Sequence, residues 1–74
     1  MTVLVTRPQL IKALRVKHHA GGNYWVKKAR LEVVERHGHS TFFNAHELLA
    51  FFEANKYYRL AENLRQWIAM QEGK

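Results

Sequence analysis

The absence of cysteine is the feature that most limits how this 74-residue chain can fold. A domain of this size buries only about 60% of the surface that its unfolded chain exposes. Small secreted domains compensate with disulfides, but this chain has neither disulfides nor thiolate ligands for zinc or an iron–sulfur cluster. Its stability must come from the apolar residues, which form 47% of the sequence. We expect one domain spanning residues 1–74.

The first half of the chain predicts a strand, a helix and a β-hairpin. Residues 1–6 are rich in β-branched side chains and favour a strand or an extended arm. Thr6 and Pro8 are typical of a helix start, and the apolar spacing predicts a helix over about residues 7–19. Residues 24–36 alternate as in a strand, and the glycine-containing turn after them is followed by a short apolar stretch. We therefore predict a hairpin over residues 24–43.

The second half predicts two helices. Asn44 is a suitable N-cap for a helix over residues 45–54, with Glu47 at the capping-box position. An apolar stripe predicts a further helix over residues 57–72. The predicted order is β-α-β-β-α-α, an α+β domain in which two or three helices cover a small antiparallel sheet.

The net charge of +6 is confined to one half of the chain. Residues 1–37 contain eight basic and two acidic side chains, whereas residues 38–74 contain four of each. No acidic residue precedes Glu32. A region of one sign attracts polyanions at long range. The charge distribution therefore favours a nucleic acid, or a nucleoprotein complex, as the partner.

Basic and aromatic residues also alternate within this half. Cations neutralise phosphates, and aromatic rings stack on bases or pack against sugars. The sequence shows neither helix-turn-helix spacing nor an RNA-binding aromatic motif, so sequence-specific recognition is not expected. The predicted nucleic-acid-binding residues are Lys12, Arg15, Lys17, Tyr24, Trp25, Lys27, Lys28 and Arg30.

The sequence contains no recognisable catalytic or metal-binding motif. Ser40 is the only serine, aspartate is absent, and the glycines do not form a phosphate-binding loop. His37, His39 and His46 lie close together in sequence, but turn histidines are usually solvated and the zinc-binding spacing is absent. We therefore predict a non-enzymatic protein with no metal and no cofactor.

A second class of function remains open, namely a small inhibitor that binds a larger protein complex, of the kind that phages and mobile elements encode. Small anti-CRISPR proteins include comparable layouts of strands and helices, although no motif is shared. The most apolar residues of the second half are candidates for a surface that binds a protein partner or forms a homodimer. These are Phe51, Phe52, Tyr58 and Trp67. No apolar run is long enough to span a membrane, so we expect a cytoplasmic protein.

Overall fold

Three strands and four helices occupy the part of the chain that the computed structural model describes, which is residues 3–16 and 20–73, with the backbone alone for residues 20–22. The α+β class predicted from the sequence is confirmed. The elements in chain order are β1 (Leu4–Val5), α1 (Arg7–Leu14), α2 (Ala20–Lys28), β2 (Glu35–His37), β3 (Ser40–Asn44), α3 (Ala45–Ala54) and α4 (Tyr58–Glu72).

The sheet is antiparallel, and β3 is its central strand. Val5 of β1 pairs with Phe43, and Arg36 of β2 pairs with Thr41. Gly38, with a φ of +60°, is the first of the two loop residues between β2 and β3, where turns of type II′ place a glycine. All residues of β2 are exposed. The helices therefore cover β1 and β3 but leave this edge of the sheet free.

The predicted strand over residues 24–36 is wrong in its larger part, because residues 24–28 belong to α2 and residues 29–34 form no strand. Trp25, Val26 and Ala29 lie at helical spacing, and Val26 is buried while the other two pack against the core. Packing of this apolar face outweighs the strand preference of the aromatic and β-branched side chains. The hairpin is therefore shorter than predicted, covering residues 35–44, and the order becomes β-α-α-β-β-α-α.

Helix α1 begins as predicted but ends before the predicted position. The Thr6 hydroxyl accepts a hydrogen bond from the backbone N–H of Gln9, and the Gln9 side chain accepts one from Thr6. This reciprocal capping box fixes the helix start. The helix ends at Leu14 because Arg15 adopts the left-handed conformation, with a φ of 57°. Gly21 and Gly22, which are residues typical of a helix end, lie instead within α2.

Three helices end in the same way. Arg15, Arg30 and Lys56 follow α1, α2 and α3 with positive φ values. In each case the next residue donates its N–H five positions back, from Val16 to Ile11, from Leu31 to Val26 and from Tyr57 to Phe52. This is the Schellman arrangement, in which glycine is the usual left-handed residue and an apolar contact accompanies the bond. Here a basic residue takes that position each time.

Helices α3 and α4 each bury three residues in the core. The α3 bounds match the prediction, and the Asn44 side chain accepts a bond from His46 N–H rather than completing a capping box with Glu47. Helix α4 buries Ala61, Leu64 and Ile68. The Asn63 amide donates to the carbonyl of Leu14, which ties α4 to the end of α1. No described helix is long and apolar enough to cross a membrane.

Candidate nucleic-acid interface

Helix α2 divides its residues between the core and the surface. Tyr24, Lys27 and Lys28 lie three and four positions apart, share one side of the helix and are exposed. We call these three residues the cationic face of α2. Its opposite side carries Val26, which is buried, and Trp25, which is half-buried. Packing of Val26 and Trp25 against the core therefore keeps the cationic face of α2 directed toward the solvent.

Trp25 is a packing residue. Its ring meets those of Phe52 and Tyr57 at centroid distances of 5.0 and 5.2 Å, in edge-to-face geometry. Such pairs add stability beyond the area that they bury. Of the two aromatic residues predicted to contact nucleic acid, only Tyr24, which is 52% exposed, has a ring accessible to a base.

Lys28 and Tyr24 interact on the cationic face. The Lys28 ammonium lies 5.5 Å from the centre of the Tyr24 ring. The hydroxyl of Tyr24, followed by the negative charges that Tyr24 and Tyr57 carry when ionised, raises the pKa of Lys28 above its ordinary value. Lys28 thus places a positive charge beside an exposed aromatic ring.

Lys12 and Arg15, which were predicted to extend the same surface, lie along a different boundary. Both line a shallow groove between α1 and α4, together with Trp67. The Arg15 guanidinium donates to the Gln66 side chain of α4 at 3.2 Å. These two cations are thus grouped with α4 rather than with α2. Lys17, also predicted, lies outside the described residues.

Arg7 is the cation that contacts α2, although the predicted site did not include it. Its Nε donates to the Asn23 side chain at 2.7 Å, and its guanidinium carbon lies 5.0 Å from the centre of the Phe43 ring. Asn23 immediately precedes Tyr24 on α2. The sequence offered one indication of this role, because Arg7 is the first of the basic residues that precede Glu32, the first acidic residue. The contact of the Arg7 side chain with α2, however, depends on the fold.

The tip of the β2–β3 hairpin carries a second group of basic residues that the predicted site omitted. Arg36, His37 and His39 are all exposed around Gly38. His37 lies 3.1 Å from the Glu35 carboxylate and packs edge to face on Phe42. The indication in the sequence was the concentration of basic side chains around one turn glycine. Arg30, the last predicted site residue, is exposed two positions after the end of α2.

The structure does not bring His37, His39 and His46 together as a metal site. Among the residues that the structure describes, no three histidine or glutamate side chains are placed to hold a metal ion. No protein-family model, curated protein or solved structure matches the chain. The functional assignment must therefore come from the geometry of the chain itself.

The four residues considered for a protein-binding or homodimer surface differ in exposure. Phe52 is fully buried, so it is excluded from any such surface. Phe51 and Trp67 are half-buried and pack against the core. Only Tyr58 is largely exposed, at 66%.

The predicted nucleic-acid-binding residues thus separate into groups. Tyr24, Lys27 and Lys28 share the cationic face of α2, whereas Lys12 and Arg15 share the α1–α4 groove. Trp25 packs against the core. Arg7 adds a cation beside α2 that sequence reasoning missed.

Proposed function

We propose that this chain is a non-enzymatic protein that binds duplex DNA through the cationic face of α2. The observation that carries the proposal is the placement of Tyr24, Lys27 and Lys28 on one exposed side of a helix whose other side is held in the core. Lysines pair with phosphates, and an aromatic ring beside them packs on sugars or bases.

The geometry of the helices favours DNA over RNA as the duplex. The major groove of B-form DNA admits an α-helix, whereas that of A-form RNA is deep and narrow. Helix-turn-helix proteins place the second of two packed helices in the groove while the first crosses the backbone. Here α1 and α2 are consecutive and packed together. This helix pair was not predicted from the sequence, because residues 24–36 were expected to form a strand. In this proposal the protein binds DNA in the cytoplasm.

Salt-dependent binding of a labelled duplex tests the proposal. Each phosphate contact makes the slope of log K against log salt more negative by about 0.9. Lys27→Gln combined with Lys28→Gln removes two such contacts and should therefore reduce the magnitude of the slope by about 1.8. The matched control is Lys56→Gln with Arg59→Gln, which removes the same charge from exposed positions around the start of α4. This control should leave the slope nearly unchanged.

Two results would count against the proposal. An affinity that does not change between about 50 and 200 mM salt is incompatible with phosphate contacts. Equal losses in both double variants would show that net charge, rather than the face of α2, determines binding. Absence of DNA binding altogether would favour the alternative class, a protein that inhibits a larger complex.

A further inference from the structure

An open cleft lies between the start of α1 and the turn of the β2–β3 hairpin. We call it the α1–hairpin cleft. It has a volume of about 330 Å³ and is lined by Thr6, Arg7, Pro8, His39, Ser40 and Thr41. None of these side chains is acidic, one is a permanent cation, and three carry hydroxyl groups that can donate hydrogen bonds. This lining is suited to an anion.

The side chains supply most of the donors of this cleft, because few backbone N–H groups at the start of α1 are free. The N–H groups of Thr6 and Gln9 are already used in the capping box, at 3.0 and 3.3 Å. Pro8 has no N–H to offer. A ligand in the cleft would therefore be held by the guanidinium of Arg7 and the hydroxyls of Ser40 and Thr41.

Arg7 is oriented by two contacts that leave most of its donors available. Its Nε is bonded to Asn23, and its guanidinium lies over the Phe43 ring. A guanidinium has five N–H groups, and within residues 3–16 and 20–73 the other four have no hydrogen-bond partner. Guanidinium groups bind phosphate through two parallel hydrogen bonds, which requires two free donors in a fixed orientation. Arg7 meets this requirement.

The cleft also adjoins the proposed DNA-binding surface. Arg7 lines the cleft and bonds Asn23, and Asn23 is the neighbour of Tyr24 on α2. A helix in the major groove is flanked by the phosphates of the DNA backbone, which are the groups that guanidinium and hydroxyl donors contact most often. The side of α2 nearest Arg7 is thus where a backbone would run.

We propose that the α1–hairpin cleft holds a phosphate group of the DNA backbone, bound by Arg7, Ser40 and Thr41, while the cationic face of α2 lies in the adjoining groove. The inference rests on the proposed DNA-binding function and extends it. It makes the hairpin turn part of the DNA-binding surface and gives Arg7 a specific ligand.

The test compares duplex binding by fluorescence anisotropy over a series of salt concentrations. Arg7→Gln should reduce the magnitude of the salt slope by about 0.9, because one phosphate contact is lost. Ser40→Ala combined with Thr41→Val should weaken binding about fivefold without changing the slope, because only neutral hydrogen bonds are removed. Arg59→Gln, which removes one exposed charge from α4, is the matched control and should change neither quantity. Thermal unfolding of each variant confirms that it is folded.

Arg7→Lys separates the phosphate contact from a structural role. Lysine retains the charge but not the planar pair of donors, so the salt slope should remain while the affinity falls. If Arg7 were needed only to support the fold, Arg7→Lys would lower the unfolding temperature and leave the affinity of the folded protein unchanged. That result would overturn the inference.

The remaining outcomes distinguish failure of the cleft from failure of the function. If the unmodified protein does not bind the duplex, both proposals are wrong. If it binds, and the cleft variants match it in affinity and slope, the cleft proposal alone is wrong. A free phosphate ion offers the same chemistry as a phosphate group of the DNA backbone. Titration with inorganic phosphate, monitored by nuclear magnetic resonance, tests whether the cleft binds the free ion. Saturable phosphate binding at the cleft, with unchanged DNA affinity in the variants, would indicate a small-anion site and overturn the DNA assignment.

Discussion

The ring of Trp25 meets the ring of Phe52 edge to face, with centroids 5.0 Å apart and planes at 85°. Phe52 is fully buried in α3, so this contact joins α2 to the core. Tyr57 adds a second edge contact to the same indole ring. The direction in which α2 presents Tyr24, Lys27 and Lys28 therefore depends on a side chain on its opposite side.

Two neighbouring substitutions on α2 should lower the stability by very different amounts. Trp25→Ala should lower the free energy of unfolding by about 3 kcal/mol, because a large aromatic side chain is lost from the core boundary. Tyr24→Ala removes an exposed ring and should cost less than about 0.5 kcal/mol. Urea unfolding measures both values. Similar losses for the two variants would contradict the helical division of this segment between core and surface.

The charge on Lys28 should persist to a higher pH than that of an ordinary lysine. Because folding raises the pKa of Lys28, its positive charge contributes to the stability of the folded protein. This contribution to stability is complete below the ordinary lysine pKa and is lost as the pH rises through the raised value. Tyr24→Phe removes the hydroxyl that is the main cause. The Lys28 pKa should then fall toward its ordinary value. Nitrogen-detected titration of the Lys28 ammonium provides the measurement, and identical curves for both proteins would contradict the assignment to Tyr24.

Glycine at position 56 should stabilise the protein. Lys56 has a φ of 64°, a conformation that costs an L-residue about 1 to 2 kcal/mol. Lys56→Gly removes this cost but gives the unfolded chain more freedom, so a net gain of about 0.5 to 1 kcal/mol is expected. Thermal or urea unfolding measures it.

The adjacent residue provides the control for this prediction. Asn55 has an ordinary negative φ, and its side chain donates to the Phe51 carbonyl at 2.8 Å. Asn55→Gly should therefore destabilise the protein. A loss of stability in Lys56→Gly as well would show that the lysine side chain contributes more than its backbone conformation costs.

The elements that the sequence predicted well carry their determinants locally. Helix α3 follows an asparagine cap, and α4 has an apolar stripe that runs from Ala61 to Ile68. Thr6 and Gln9 likewise define the start of α1 between themselves. Caps and periodicity of this kind can be recognised in a short stretch of chain.

Helix α2 could not be recognised in this way, because Trp25 and Ala29 fit a strand period as well as a helical one. What decides between them is the contact of Trp25 with Phe52 and Tyr57, which are distant in sequence. The end of α1 was equally concealed, because Arg15 takes a position where glycine is usual. The count of cations was evident from the sequence, but their division between α2 and α4 depends on tertiary packing.

The strand order β1–β3–β2 has a consequence for the nascent chain. Val5 of β1 pairs with Phe43 of β3, so β1 leaves the ribosome before its partner strand β3 has been synthesised. Such pairings between distant segments are slow to form, because a long loop must be ordered first. Until β3 has been synthesised, Val5 has no strand partner and Trp25 lacks its aromatic neighbours in α3. The cationic half of the molecule is thus translated first, yet its folding is completed only by residues translated later.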